Sequence, residues 1–405
     1  VSAGSAGETR QAPRFPALTG LRILAALAVY ASHVGAPAGS PAFLSTAFFS
    51  GYCGVTVFFV LSGFVLAINY FDEFHRPRAG GLYRYAVARF ARIYPLYLLV
   101  LFYFVVRQHA LGESVDGWWR NALALQAWDG DLNHAFAFDA PSWSISVELF
   151  LYACFPLLVP VLARLGRPRS VLIATGAIVA AMAALAGWFV FTGAGDLAWQ
   201  DPGSAHRWLY LMPLTRLGDF ALGILAARLY AQTRERRALP RAGLPLVLGA
   251  AAAMLAMMSW QGLIYTPWSW DLAYAVPAAA LIFGLAIAPL SMPARFLSLP
   301  FMVLLGEASY AFYLVHDPAI GFFGAGRWAG NGSLTLVVYE ALALGAILAL
   351  AVGLHTTFER PARAYLRRVL ASRKGRAVAP STPAGETGAA MSAAAPGTRA
   401  RPLAP

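Results

Sequence analysis

Arg22 and His33 are the residues from which a chemical reading of this chain starts. Both sit in LTGLRILAALAVYASH, residues 18–33, a stretch otherwise almost entirely apolar. An ionisable side chain at hydrocarbon depth costs about 2.5–3.5 kcal/mol on insertion scales, so its presence there calls for a function. At about 100° and 1.5 Å per residue the two share one helix face, about 16 Å apart along the axis. A fixed cation and a titratable imidazole therefore face the same way at two depths.

Two further ionisable groups lie inside apolar segments: Glu148 in PSWSISVELFLY (141–152) and His316 in SYAFYLVHDP (309–318). Histidine acts as a general base near neutral pH. A carboxylate beside it orients the ring, or holds a proton when buried. Asp317 follows His316 and is expected to bind it or to cap the helix region. Arg89 and Arg92, in RFARIYPLY, are three residues apart on one helical face. Arg216 has Asp219 three residues on. Guanidinium groups offer paired donors and a permanent charge, which suits phosphate. The plainer uses are positive-inside anchoring for Arg89 and Arg92, and an intramembrane ion pair for Arg216. No phosphate-binding loop, dinucleotide glycine pattern or metal-ligand cluster is present. Cys53 and Cys154 lie in apolar segments and read as buried free thiols.

These residues need membrane helices to position them. Of 405 residues 59% are hydrophobic and 12% charged, and the mean hydropathy is +0.59. A soluble domain carries about 25% charge, so the composition excludes an ordinary soluble fold. The net charge of +12 would suggest nucleic acid in a soluble protein; here it reads as loop arginine. Apolar stretches near 17–35, 47–69, 86–107, 144–163, 170–193, 207–230, 243–262, 271–290, 302–323 and 334–357 are each long enough to span hydrocarbon. The first reads as a retained span rather than a signal peptide, because Arg22 and His33 do not suit a disposable apolar region.

The expected fold is an all-α integral membrane protein of about ten transmembrane helices. With the N-terminus cytoplasmic, 25 of the 31 Lys and Arg fall on the cytoplasmic side and four outside, with two inside helices. That asymmetry predicts both termini inside. A disordered tail is expected over 1–13, a membrane domain over 14–370 and a second disordered tail over 371–405, which is rich in Pro, Ala, Gly, Ser and Thr. In this frame His33, Glu148 and His316 all fall near the outer surface, at one level. Arg22, Arg89 and Arg92 fall toward the cytosol, with Arg216 deeper. The long outer loop 108–143 carries Trp118, Trp119, Trp128, Phe136 and Phe138, for interfacial anchoring or sugar stacking. His109, His134 and His206 read as solvated loop residues, and Glu307 and Glu340 as helix residues without a nameable partner.

From about residue 15 to 368 the chain resembles the acyltransferase 3 family of integral membrane O-acyltransferases. The blocks LTGLRILAALAVYASH, FFVLSGFVLA, RFARIYPLYLL, PSWSISVELFLYACFP, RLGDFALG, GEASYAFYLVHDP and FERPARAYLRR stand in family order. The family often has Asp before the glycine of the first motif; here that position is Thr19. The resemblance implies a cytosolic acyl-CoA donor, most often acetyl-CoA, and a hydroxyl acceptor on a carbohydrate, typically a surface polysaccharide or its lipid-linked precursor. A macrolide-type secondary metabolite is the minority acceptor. It also implies a requirement for Arg22 and His33, and a multi-pass protein of a prokaryotic cytoplasmic membrane. The expected assignment is His33, Glu148 and His316 in catalysis and Arg22, Arg89, Arg92 and Arg216 on the donor, with no metal and no nucleic acid. The rival class is a glycan transporter or flippase, in which the same groups would relay protons.

Overall fold

The computed structural model describes residues 15–76, 80–236, 239–327, 330 and 333–377. The tail 1–13, residues 378–405 and, of the counted arginines, Arg10, Arg14, Arg78, Arg237, Arg399 and Arg401 lie outside the described residues. Long helices occupy every expected segment: α1 (Pro16–Val34), α2 (Gly54–His75), α3 (Gly81–Ala110), α4 (Trp143–Leu162), α5 (Pro168–Phe191), α6 (Leu217–Thr233), α7 (Leu239–Ser259), α8 (Leu272–Ile287), α9 (Pro300–Phe323) and α10 (Leu334–Leu354). Eight of them are long and apolar enough to cross a membrane, alone or with the turns that adjoin them. The other two are α6, which is short, and α9, which carries Glu307, His316 and Asp317. No strand occurs among the described residues.

Helix ends follow local chemistry. Proline opens α1, α5 and α9, where its missing N–H has no intrahelical partner to lose. The segment expected to begin at 207 instead starts with a wide turn, His206–Leu211, and the α-helix begins only at Leu217. Pro213 is the physical reason, since it cannot donate to the preceding turn. A further helix, α11 (Arg360–Ala377), follows α10.

The helices alternate in direction. One end of the bundle gathers His33, the other Arg92. In the span holding α2, 78% of the most apolar stretch is buried, against 17% for α5 and for α7, so α2 is central and those two are peripheral. Close approach at the centre depends on missing side chains. A Cβ at Gly306 of α9 would overlap the Thr19 carbonyl of α1, and one at Gly20 would overlap the Leu297 carbonyl. Gly63 of α2 and Gly223 of α6 meet the carbonyls of Phe220 and Val60 reciprocally. With little hydrophobic drive between helices in lipid, such backbone contact holds them together. Gly63 of FFVLSGFVLA thus serves close packing.

Candidate active site

At one end of the bundle the last turn of α1 brings His33 against α9. The His33 and His316 rings meet edge to face with centroids 5.0 Å apart. Asp317 Oδ1 lies 3.5 Å from His33 Nδ1. Asp317 therefore serves His33, and not its neighbour His316 as expected. His316 is fully buried, and its Nδ1 donates to the Tyr313 carbonyl at 2.6 Å. That bond places the proton on Nδ1 and leaves Nε2 as a bare acceptor without a partner. His33 lines a cavity of about 260 Å³ whose walls include Tyr52, Trp143, Tyr210, Tyr265 and Trp270. Apart from the histidines, no charged side chain lines it.

Deeper in the bundle a second, narrow pocket of about 40 Å³ is lined by Arg22, Phe59, Ser144, Glu148, Ser309 and Tyr310. Glu148 accepts from Ser62 Oγ at 3.2 Å and from the Tyr152 hydroxyl. Arg22 lies within electrostatic reach of Arg92, Glu148, Tyr152 and Glu359, and its Nε is buried without a partner. Glu148 thus stands with the arginine and not at the level of the two histidines. The reason is the path of the loop: Ala140, Pro141 and Trp143 already line the His33 cavity, and five residues beyond Trp143 a helix is about 7.5 Å deeper. The Tyr313 hydroxyl holds this inturned segment by donating to the Pro141 carbonyl at 3.1 Å. Val55 and Tyr313 line both pockets, so the two are stacked on either side of a shared wall.

The other expected arginines divide. Arg89 donates to the Tyr70 hydroxyl at 3.3 Å and lies near the Tyr70, Tyr85 and Tyr152 rings. Arg92 pairs with Glu359 at 3.2 Å. Arg216 does not join them. It is fully buried, bonds Asp219 at 2.8 Å and the Tyr210 carbonyl at 2.8 Å, and has Asp271 at 4.0 Å. Its guanidinium sits over Phe59, whose ring stands between it and the Arg22 pocket. Asp219 already bonds Arg216 and Asp271 stands beside the pair, so the ion-pair reading of its spacing with Asp219 describes its setting.

Several partners were not foreseen. Glu307 meets His355 Nε2 at 3.7 Å, and His355 Nδ1 meets Glu359 at 2.8 Å. Glu340 accepts from the Gly326 N–H. The FERPAR block was the available signal for Glu359, and FFVLSGFVLA carried Ser62. Of the loop histidines, His109 is exposed, while His134 pairs with Asp129 at 2.8 Å. Desolvation works against ionisation of Asp129, yet the Asp131 N–H and His134 hold its carboxyl below the usual range. His206 is not solvated: it lines the His33 cavity, stacked on Tyr210. Among the described residues no group of His, Cys, Asp and Glu could hold a metal ion.

A multi-pass helical bundle with this pair of pockets falls within a defined class. The acyltransferase-domain family, acyltransferase 3, matches residues 15–356, and the chain belongs to it. It is similar to acyltransferase MdmB of Streptomyces mycarofaciens, 31% identical over 88% of this chain and 93% of that protein. It is also similar to O-acetyltransferase OatA of Staphylococcus aureus, 24% identical over 82% of this chain; the match spans 55% of OatA, little more than half its length. No solved structure gives a significant match. The protein is thus a membrane acyltransferase.

Proposed function

We propose that this acyltransferase moves a short acyl group, acetyl in the simplest case, from cytosolic acyl-CoA to a carbohydrate hydroxyl presented at the outer surface. The observation that carries this reading is the stacked pair of pockets along α1, one holding Arg22 and the other His33, with Val55 and Tyr313 between them. Arg22, Arg89 and Arg92 face the donor, whose phosphates suit their fixed charges. The cytosolic placement of that end follows from the arginine-rich loops. The narrow Arg22 pocket favours a small acyl group.

His33 takes the proton of the acceptor hydroxyl as general base. The oxygen attacks the thioester carbonyl, the carbon–sulfur bond breaks, and CoA thiolate leaves and is protonated by water. Asp317 on Nδ1 directs His33 Nε2 to the acceptor and stabilises the imidazolium. In a covalent variant His33 Nε2 itself takes the acyl group and passes it to the acceptor. His316, packed edge to face on His33, holds that ring in place. Glu148 steadies Arg22 and the donor carbonyl region. The aromatic walls accept either a sugar or the glycosylated ring of a macrolide-type metabolite.

Membranes containing the protein, given labelled acetyl-CoA and an acceptor extract of the producing cells, should form a labelled ester. The same membranes with His33→Ala at equal expression should not. Undiminished ester formation by His33→Ala would overturn the assignment.

A further inference from the structure

A second chamber adjoins the His33 cavity. It measures about 470 Å³ and is lined by Gly195, Leu197, Trp199, His206, Tyr265 and Trp270. His206, Tyr265 and Trp270 also line the 260 Å³ cavity that holds His33. The three form the partition between the chambers. The His206 ring meets Trp270 edge to face at 4.7 Å and Trp199 at 5.9 Å, and stacks on Tyr210 at 5.5 Å. Its Nδ1 is buried without a hydrogen-bond partner.

Neither chamber is lined by Asp, Glu, Lys or Arg. Desolvation pushes His206 down to about 4, so its ring is neutral at working pH. An ionised acceptor would lose water against these walls and gain no counter-charge. Flat aromatic walls on both sides of a partition suit ring faces.

We propose that the acceptor is an uncharged molecule of at least two linked rings. The ring bearing the reacting hydroxyl lies in the His33 chamber, the next ring lies in the Trp199 chamber, and the His206 ring stands between them. This rests on the reading of His33 as the acceptor-side residue. It makes Trp199 and His206 specificity residues contributed by the segment between α5 and α6.

The test is calorimetric binding to the full chain in lipid nanodiscs, with no acyl-CoA present. The probes are neutral phenyl glycosides of common hexoses and deoxyhexoses, the matching methyl glycosides, and phenyl glucuronide. At least one phenyl glycoside should bind about tenfold more tightly than its methyl counterpart, a difference of about 1.4 kcal/mol, and the glucuronide should not bind. Trp199→Ala, at an exposed position, should remove that advantage and leave the methyl glycoside unchanged. His206→Phe keeps a flat ring in the partition and should leave that advantage in place. Equal affinity of one-ring and two-ring probes, binding of the glucuronide, failure of the whole panel, or an indifferent Trp199→Ala would each overturn the proposal. Because no transfer is read, failed acyl transfer with this binding pattern intact would count against the proposed reaction alone.

Discussion

The two ends of the bundle solve recognition in opposite ways. Around His33 the walls are aromatic, and Asp317 stands beside the His33 ring. Around Arg92 the contacts are ionic and interlinked, Arg92 to Glu359, Glu359 to His355, and His355 to Glu307. The first end presents ring faces, the second charge. α1 joins them, with Arg22 toward one and His33 at the other. Charged contacts suit the proposed polyanionic donor, and aromatic walls suit the proposed acceptor.

Removing the base should separate the ends most sharply. His33→Ala should lower turnover by about 10²–10⁴-fold and leave donor binding unchanged, read by single-turnover transfer alongside donor titration. Equal losses in both would mean that the two ends are not separate functions. On the charged side, Arg22→Gln should raise the donor KM by about 10–100-fold with a smaller change in kcat, the loss expected for a charged hydrogen bond. Asp317→Asn should act on kcat and not on donor KM, by about tenfold if its role is to orient and charge-stabilise His33. A KM effect from Asp317→Asn would place it on the wrong side of the comparison.

The join between the ends is tested by packing. Gly306→Val would push a side chain into the Thr19 carbonyl of α1. It should destabilise the protein by about 1–3 kcal/mol, seen as a lower thermal midpoint. The smallest effect is a pH dependence. The pKa of His206 falls from 6.5 to about 4 on burial. Its contribution to stability is therefore complete above pH 6.5 and is lost as pH falls toward 4. Thermal midpoints at pH 7 and pH 5 should differ more for the native chain than for His206→Phe. Equal differences would show that His206 is not buried neutral.

Helix positions were legible from apolar run length, because the hydrocarbon core admits few alternatives. The pairing of His33 with His316 was legible as well, since both lie near the ends of spans that the arginines orient. Glu148 was not. Its depth depends on a loop that turns inward before α4 begins, and no periodicity reports that. Arg216 was half legible: its spacing from Asp219 gave the ion pair, but Asp271 comes from a turn 55 residues later. His206 was misplaced because a histidine in a polar loop reads as solvated, and only the three-dimensional stacking of Tyr210 and Trp270 buries it.

The central claim is that the acyl group passes along α1 from the Arg92 end to the His33 end. Sealed vesicles of one orientation, with labelled acetyl-CoA confined to the Arg92 side and acceptor to the His33 side, test it directly. Labelled ester should appear on the His33 side, and none should form when the acetyl-CoA is confined to that side. Ester formed only when both substrates share one side would contradict it.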